Sequence, residues 1–158
     1  MRMITMNRLA LMAMLLLCSA SIGAAAPPTD ACALLTTAQA GAALGGAAGP
    51  GKAITTGICQ WGQQGKPGDV LLKLDVNLIA PDRFTRLKTV TLGTVTTVSG
   101  LGDEAFYSTF TQGRTTLTTL NVKKGSAAVT IRVSGGTKPV AEYQAKEKAA
   151  AVALLPKL

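Results

Sequence analysis

Two cysteines, Cys32 and Cys59, place the strongest constraint on how this chain can fold. The third cysteine, Cys18, lies in an N-terminal segment that has the features of a secretory signal peptide. Disulfides persist in exported proteins and are rare in the cytosol. Without Cys18, the two remaining cysteines can pair in only one way. We therefore expect a disulfide that ties the first helix to the sheet and that stabilises the fold by about 3–4 kcal/mol in the loop-entropy model.

Residues 1–25 show the three parts of a signal peptide. Arg2 and Arg8 give the segment a positive start, residues 9–17 form an apolar run, and small residues follow that run. The run is too short to span a membrane, because a span needs roughly 20 apolar residues. We expect cleavage within residues 23–26, which leaves 26–158 as a single exported domain.

Cys18 offers an alternative form of membrane attachment. A lipid-modified cysteine is preceded by a characteristic motif, and Leu15 stands where that motif requires a leucine. The residue directly before the cysteine should be small, and it is Leu17. We therefore expect contact with the membrane only through the signal peptide, with a lipid on Cys18 as the alternative.

Alternating apolar and polar residues predict a sheet with one buried face and one wet face. Along 70–79, the even-numbered positions are apolar: Val70, Leu72, Leu74, Val76 and Leu78. The odd-numbered positions include the polar residues Lys73, Asp75 and Asn77. Along 127–133, the same alternation separates Val129, Ile131 and Val133 from Thr130 and Arg132. This pattern is typical of an antiparallel sheet covered on one side. The candidate binding face is therefore formed by Lys73, Asp75, Asn77, Thr130 and Arg132.

The order of elements predicts an α+β fold. Thr36 and Gln39 have the spacing of a capping box, so a helix is expected over 37–44, ended by Gly45. Residues 45–57 are rich in glycine and alanine and are expected to form an exposed loop. Further helices are expected over 81–88 and 140–155. The remaining strands come in hairpins, which favours an antiparallel sheet of about five to six strands with the helices mainly on one face.

The single tryptophan, Trp61, is expected in the core. Side chains alternate along a strand, so Trp61 shares a face with Cys59. If Cys59 is bonded to Cys32, that face is the one on which the first helix packs. Trp61 is therefore predicted to be a core residue rather than a platform for a ligand.

Several catalytic and cofactor chemistries are disfavoured. The chain has no histidine, which excludes Ser–His–Asp and Cys–His catalysis, and two isolated thiols make a poor zinc site. Residues 46–52 resemble a phosphate-binding loop, but Ala53 stands where a serine or threonine is required. Residues 100–105 fit a dinucleotide fingerprint, but the acidic Asp103 and Glu104 would repel a pyrophosphate. We assign no catalytic, cofactor-binding or metal-binding residues.

The positive charge of the chain is spread along the sequence. The formal net charge is +8, and loss of Arg2 and Arg8 lowers it to +6. A basic exported protein can be drawn to anionic envelope polymers, lipids or proteins, although ordinary solubility explains the same charge. The longest basic run is Lys123–Lys124 and aromatic residues make up 4% of the chain, so we expect no nucleic-acid partner.

The assembled motifs resemble a known group of small exported domains. The resemblance rests on Cys32-Ala33-Leu34-Leu35-Thr36, on Cys59-Gln60-Trp61, on the turn Gly100-Leu101-Gly102-Asp103-Glu104-Ala105, and on an alanine-rich last helix. Such domains of unknown function occur in many actinobacterial lipoproteins and envelope proteins, and the extracellular sensor domains of some bacterial Ser/Thr kinases are broadly similar. The resemblance implies an exported domain with a helix–strand disulfide and a binding or structural role. It implies no catalytic residues.

From these observations we expect a non-enzymatic module of the cell envelope that binds a ligand or a protein. An anionic envelope component is the partner that the basic charge favours. The alternative is a small hydrolase or an enzyme inhibitor that acts in the periplasm or cell wall.

Overall fold

The structure is a computed structural model that describes residues 26–69, 71–90, 92–113 and 115–158. The predicted signal peptide, the alternative lipid site Cys18, and Val70 of the predicted strand lie outside the described residues. In the described ranges, every helix is too short or too polar to cross a membrane.

A mixed α+β architecture is confirmed, and its sheet is wholly antiparallel. Within the described residues the sheet has seven strands, in the order β1-β2-β3-β7-β6-β5-β4. The strands are β1 Lys52–Thr55, β2 Ile58–Gly62, β3 Lys73–Ile79, β4 Thr94–Val98, β5 Glu104–Gln112, β6 Thr115–Lys124 and β7 Ala127–Ser134.

The prediction of five to six strands was wrong because β1 lies in the stretch 45–57 that was predicted to be a loop. All four β1 residues are exposed, and the strand pairs with β2 alone at the edge of the sheet. An edge strand without a buried face gives no alternating hydrophobic pattern. Its backbone pairing, with Ala53 opposite Cys59, is what makes it a strand.

The helices begin and end close to the predicted positions. They are α1 Thr37–Leu44, α2 Pro81–Val90 and α3 Val140–Leu154, with short 3-10 helices at Ala31–Ala33 and Leu155–Lys157. The capping box of α1 is present: Gln39 N–H donates to Thr36 Oγ1 at 3.2 Å, and Thr36 N–H donates to Gln39 Oε1 at 2.9 Å. Gly45 ends the helix at φ +80°, a conformation that glycine adopts without steric cost.

Two faces of the sheet are covered unequally. Helices α1 and α3 pack on one face, over a core that includes Leu74, Val76 and Ile131. Helix α2 packs on the opposite face, where the rings of Phe84 and Phe106 meet edge to face at 5.1 Å. The expectation that helices lie mainly on one face is therefore correct, and α2 leaves part of the second face open.

The predicted disulfide is present between Cys32 and Cys59, with 5.0 Å between the Cα atoms. Cys32 lies in the 3-10 helix ahead of α1, where its N–H donates to Asp30 Oδ1 at 2.8 Å. Cys59 lies in β2 on the same face as Trp61, which is 1% exposed as predicted for a core residue. Gly51 crosses directly over this pair: a Cβ there would lie 2.8 Å from the Trp61 ring and 3.0 Å from Cys59 Sγ.

Candidate ligand-binding groove

The open part of the second sheet face forms a groove of about 510 Å³. Helix α2 contributes Arg83 and Leu87 to one wall, and the β1–β2 edge contributes Ile54 and Ile58 to another. The floor is polar. Its polar residues are Gln60, Asp75, Asn77, Ser108, Thr119, Asn121, Thr130 and Arg132, and Ile79 of β3 adds an apolar side chain near α2.

Strand register places the floor residues in neighbouring rows. In one row, Asn77 of β3 lies opposite Thr130 of β7, which lies opposite Asn121 of β6. In the next row, Gln60 of β2 lies opposite Asp75, which lies opposite Arg132. Strands are about 4.8 Å apart, so these side chains are close enough for one ligand to contact several of them.

The charges of the groove are unequal. Asp75 Oδ1 accepts a hydrogen bond from Gln60 Nε2 at 2.7 Å, and Asp75 Oδ2 lies 3.8 Å from Arg132 Nη2. The Arg132 side chain is 49% exposed, so this long ion pair contributes little to stability. The Arg83 side chain makes no ion pair or hydrogen bond within the part of the chain that the structure describes. The groove therefore presents more positive than negative charge.

A buried amide fixes the floor beside α2. Asn121 is 1% exposed, and its Nδ2 donates to the carbonyl of Phe106 at 3.3 Å, to Ser108 Oγ at 3.1 Å and to the carbonyl of Thr119 at 3.3 Å. A buried amide needs such partners, because an unpaired one costs about 1–3 kcal/mol. These bonds hold the Ser108–Thr119 part of the floor in place.

Four of the five residues of the predicted binding face line this groove: Asp75, Asn77, Thr130 and Arg132. Lys73 does not. It is exposed at the start of β3 opposite Ser134, one row beyond the groove, although it lies on the same sheet face.

Sequence reasoning missed the other polar residues of the floor and the arginine of the wall. Gln60 alternates with Cys59 and Trp61 in the sequence, and Thr119 and Asn121 alternate with Leu120. That alternation could have placed each on the wet face of its own strand. The strand order that brings them beside Asp75 comes from long-range pairing, which no local pattern contains.

Glu147 is a buried acid on the other side of the sheet. Pairing of β6 with β7 runs from Leu120 opposite Ile131 to Lys124 opposite Ala127. Beyond Leu120 these two strands are not paired with each other in the described residues, although β6 continues to pair with β5 and β7 with β3. There Glu147 Oε1 accepts the N–H of Val133 at 3.1 Å. Glu147 Oε2 and Thr118 Oγ1 have no hydrogen-bond partner of good geometry among the described residues.

Burial raises the pKa of Glu147 to about 8, because the charged form loses its hydration. The N–H of Val133, the nearby Thr118 hydroxyl and the charge of Arg132 each act in the opposite direction and are outweighed. Burial, and then the nearby Glu147, raise the pKa of Tyr107 to about 12, and the Tyr107 hydroxyl donates to the carbonyl of Gln144 at 2.7 Å.

The glycine-rich segments have structural partners. Asp103 Oδ2 accepts the N–H of Gly125 at 2.6 Å, so the 100–105 turn is tied to the β6–β7 hairpin. Glu104 pairs with Lys88 of α2. Residues 46–52 lead into β1 rather than into a helix. Across the described ranges, no group of three or more His, Cys, Asp and Glu residues is placed to hold a metal ion.

Comparison with known proteins leaves the groove to be interpreted from its own geometry. No family model, no curated protein and no solved structure matches the chain. The chemistry of the lining residues is therefore the basis on which a function can be proposed.

Proposed function

We propose that this chain is an exported, non-enzymatic module of the cell envelope that binds its ligand in the sheet groove. One observation carries the proposal: amide, hydroxyl and charged side chains from several strands converge on a floor that α2 and the β1–β2 edge enclose. The volume of about 510 Å³ lies in the range of small-molecule sites.

The charges of the groove support binding over catalysis. Among the described lining residues, Asp75 is the one acid, and Gln60 and Arg132 both engage it. Glycoside cleavage uses two carboxyl groups that flank the same bond. The buried acid Glu147 lies on the opposite side of the sheet, bound to the backbone of β7.

The disulfide supports export. Cys32 and Cys59 are joined in the folded chain, and such bonds persist mainly in oxidising compartments. A signal peptide over residues 1–25, with a lipid on Cys18 as the alternative, would deliver the domain to the envelope.

The proposal is tested by titrating the isotope-labelled protein with the small-molecule fraction of an envelope extract and recording ¹H–¹⁵N NMR spectra. We expect shifts concentrated at groove residues such as Asn77 and Thr130. Arg132→Gln should weaken the binding that causes these shifts at least tenfold. It removes a charged side chain of the floor whose long ion pair contributes little to stability. Lys73→Gln is the matched control, because Lys73 is exposed on the same face but outside the groove. Shifts that are absent, scattered elsewhere or equal in both variants would refute the proposal.

A further inference from the structure

We propose, building on the groove as the ligand site, that its ligand is an acidic amphiphile: one alkyl chain with a carboxylate or phosphate head. Two separate features of the described surface lead to this ligand class. One is an excess of arginine in the groove. The other is an apolar patch, formed by Val95, Phe110 and Leu117, that continues from the groove along the same sheet face.

The two arginine side chains of the groove provide the positive charge for an anionic head group. The Arg83 side chain has no ion pair or hydrogen bond among the described residues, and the Arg132 side chain has only its 3.8 Å contact with Asp75. Gln60 already donates to that carboxylate. A guanidinium is suited to carboxylate and phosphate, because its planar N–H groups match two oxygens at once. An anionic head therefore supplies the negative charge that the groove lacks.

The apolar patch begins where the groove ends. Ser108 and Thr119 line the groove, and two residues further along their strands lie Phe110 and Leu117, which pair with each other. Val95 pairs with Ser108 from the next strand. Side chains two apart on a strand share a face, so the patch and the groove form one continuous surface. The three side chains are 37%, 37% and 44% exposed for Val95, Phe110 and Leu117, whereas core residues are near zero.

An amphiphile accounts for both features, whereas a purely polar ligand accounts for one. The strands that carry Arg132 and Phe110 are two strand spacings apart, roughly 10 Å. An extended alkyl chain of medium length spans that distance and covers apolar side chains that otherwise face water. An acidic glycan would pair with the arginines but leave the patch exposed.

Matched probes test the proposal by NMR titration below their micelle concentrations. Decanoate carries both the charge and the chain, butanoate carries the charge with a short chain, and N-decanoyl-N-methylglucamide carries the same chain without a charge. We expect decanoate to shift groove and patch resonances together, with at least tenfold weaker binding of the other two. Decyl phosphate is compared with decanoate, and the tighter of the two assigns the head group.

Variants on the same elements provide controls. Arg83→Gln should weaken the binding of decanoate at least tenfold. Arg86→Gln should not, because Arg86 is exposed on the same helix and pairs with Asp82. Phe110→Ser should weaken the binding of decanoate but not that of butanoate. Leu92 is an exposed apolar residue outside the patch, so Leu92→Ser should change the binding of neither probe. Unchanged fluorescence of the buried tryptophan shows that each variant is folded.

Three results would overturn the amphiphile. The first is equal binding of the charged and uncharged decyl probes, and the second is indifference of decanoate to Arg83→Gln and Phe110→Ser. The third is tighter groove binding of an acidic peptide such as hexaglutamate. If the decyl probes do not bind but the extract still shifts groove resonances in an Arg132-dependent way, the amphiphile is wrong and the binding module stands. If the extract is silent as well, both proposals fail.

Discussion

Replacing Glu147 by glutamine should change how the stability of this protein depends on pH. Glu147 is fully buried, and its pKa rises from an ordinary 4.5 to about 8 in the folded state. The folded state therefore holds the proton more tightly than the unfolded state does. The contribution of protonated Glu147 to the free energy of unfolding is complete below about pH 4.5 and is lost as the pH rises through about 8.

The size of this effect follows from the same pKa. Each pH unit between the two values removes about 1.4 kcal/mol from the free energy of unfolding. Ionising Glu147 in the folded protein at pH 8 therefore costs on the order of 4–5 kcal/mol. Glutamine cannot ionise, its carbonyl can keep the bond from Val133 N–H, and its amide can donate to the unpartnered hydroxyl of Thr118.

We expect Glu147→Gln to lie within about 1 kcal/mol of the wild type near pH 5 and to exceed it by several kcal/mol near pH 8. Urea unfolding between pH 5 and 8, followed by the fluorescence of Trp61, measures both proteins. The difference between them isolates Glu147, because the other titrating groups are shared. Glu142→Gln is the control: Glu142 is exposed on the same helix, 3.5 Å from Lys138, and its loss should cost less than about 1 kcal/mol at every pH. A difference between wild type and Glu147→Gln that stays constant from pH 5 to 8 would refute the reasoning.

Other predictions concern the parts of the fold that support the groove. Replacing Cys32 and Cys59 together by alanine should lower the free energy of unfolding by about 3–4 kcal/mol, measured by urea unfolding, because the closed loop is released; no loss would mean that the bond does not constrain the chain. Gly51→Ala should lower the free energy of unfolding by about 1–3 kcal/mol in the same assay, since a Cβ at 2.8 Å from the Trp61 ring must displace a buried side chain. An unchanged free energy of unfolding would show that Gly51 is not tightly packed against Trp61. Phe84→Ala should lower the free energy of unfolding by about 3–5 kcal/mol and increase the rate of amide hydrogen exchange in α2, because Phe84 is the buried residue that attaches this helix to the sheet. Unchanged amide exchange in α2 would contradict that role.

Local signals in the sequence were sufficient for much of the fold. The capping box of α1 and the glycine that ends it depend on neighbouring residues, so the helix could be bounded from the sequence. Alternation along β3 and β7 separated the buried face from the groove face for the same reason. The disulfide followed from the count of cysteines and the expected export.

Features that depend on distant pairing could not be read in this way. Strand β1 has four exposed residues, and only its bonds to β2 define it. Gln60 and Asn121 belong to one groove because β3 and β7 lie between their strands. Glu147 looks like a surface residue of an alanine-rich helix, and it is buried because β6 and β7 separate where α3 packs.

Arg83 shows the same limit at the wall of the groove. Its helix was expected, but the sequence did not reveal which sheet face the helix would cover. Packing of Phe84 against Phe106 settles that question and turns Arg83 toward the polar floor. The polar half of the site was thus partly predictable, and its enclosure was not.

Native mass spectrometry after incubation with envelope extract tests the central claim, that the groove is the ligand site, most directly. The wild type and the Lys73→Gln variant should both carry the same added small-molecule mass, and Arg132→Gln should have lost it. The same added mass on all three proteins, or on none of them, would contradict the claim that the groove is the ligand site.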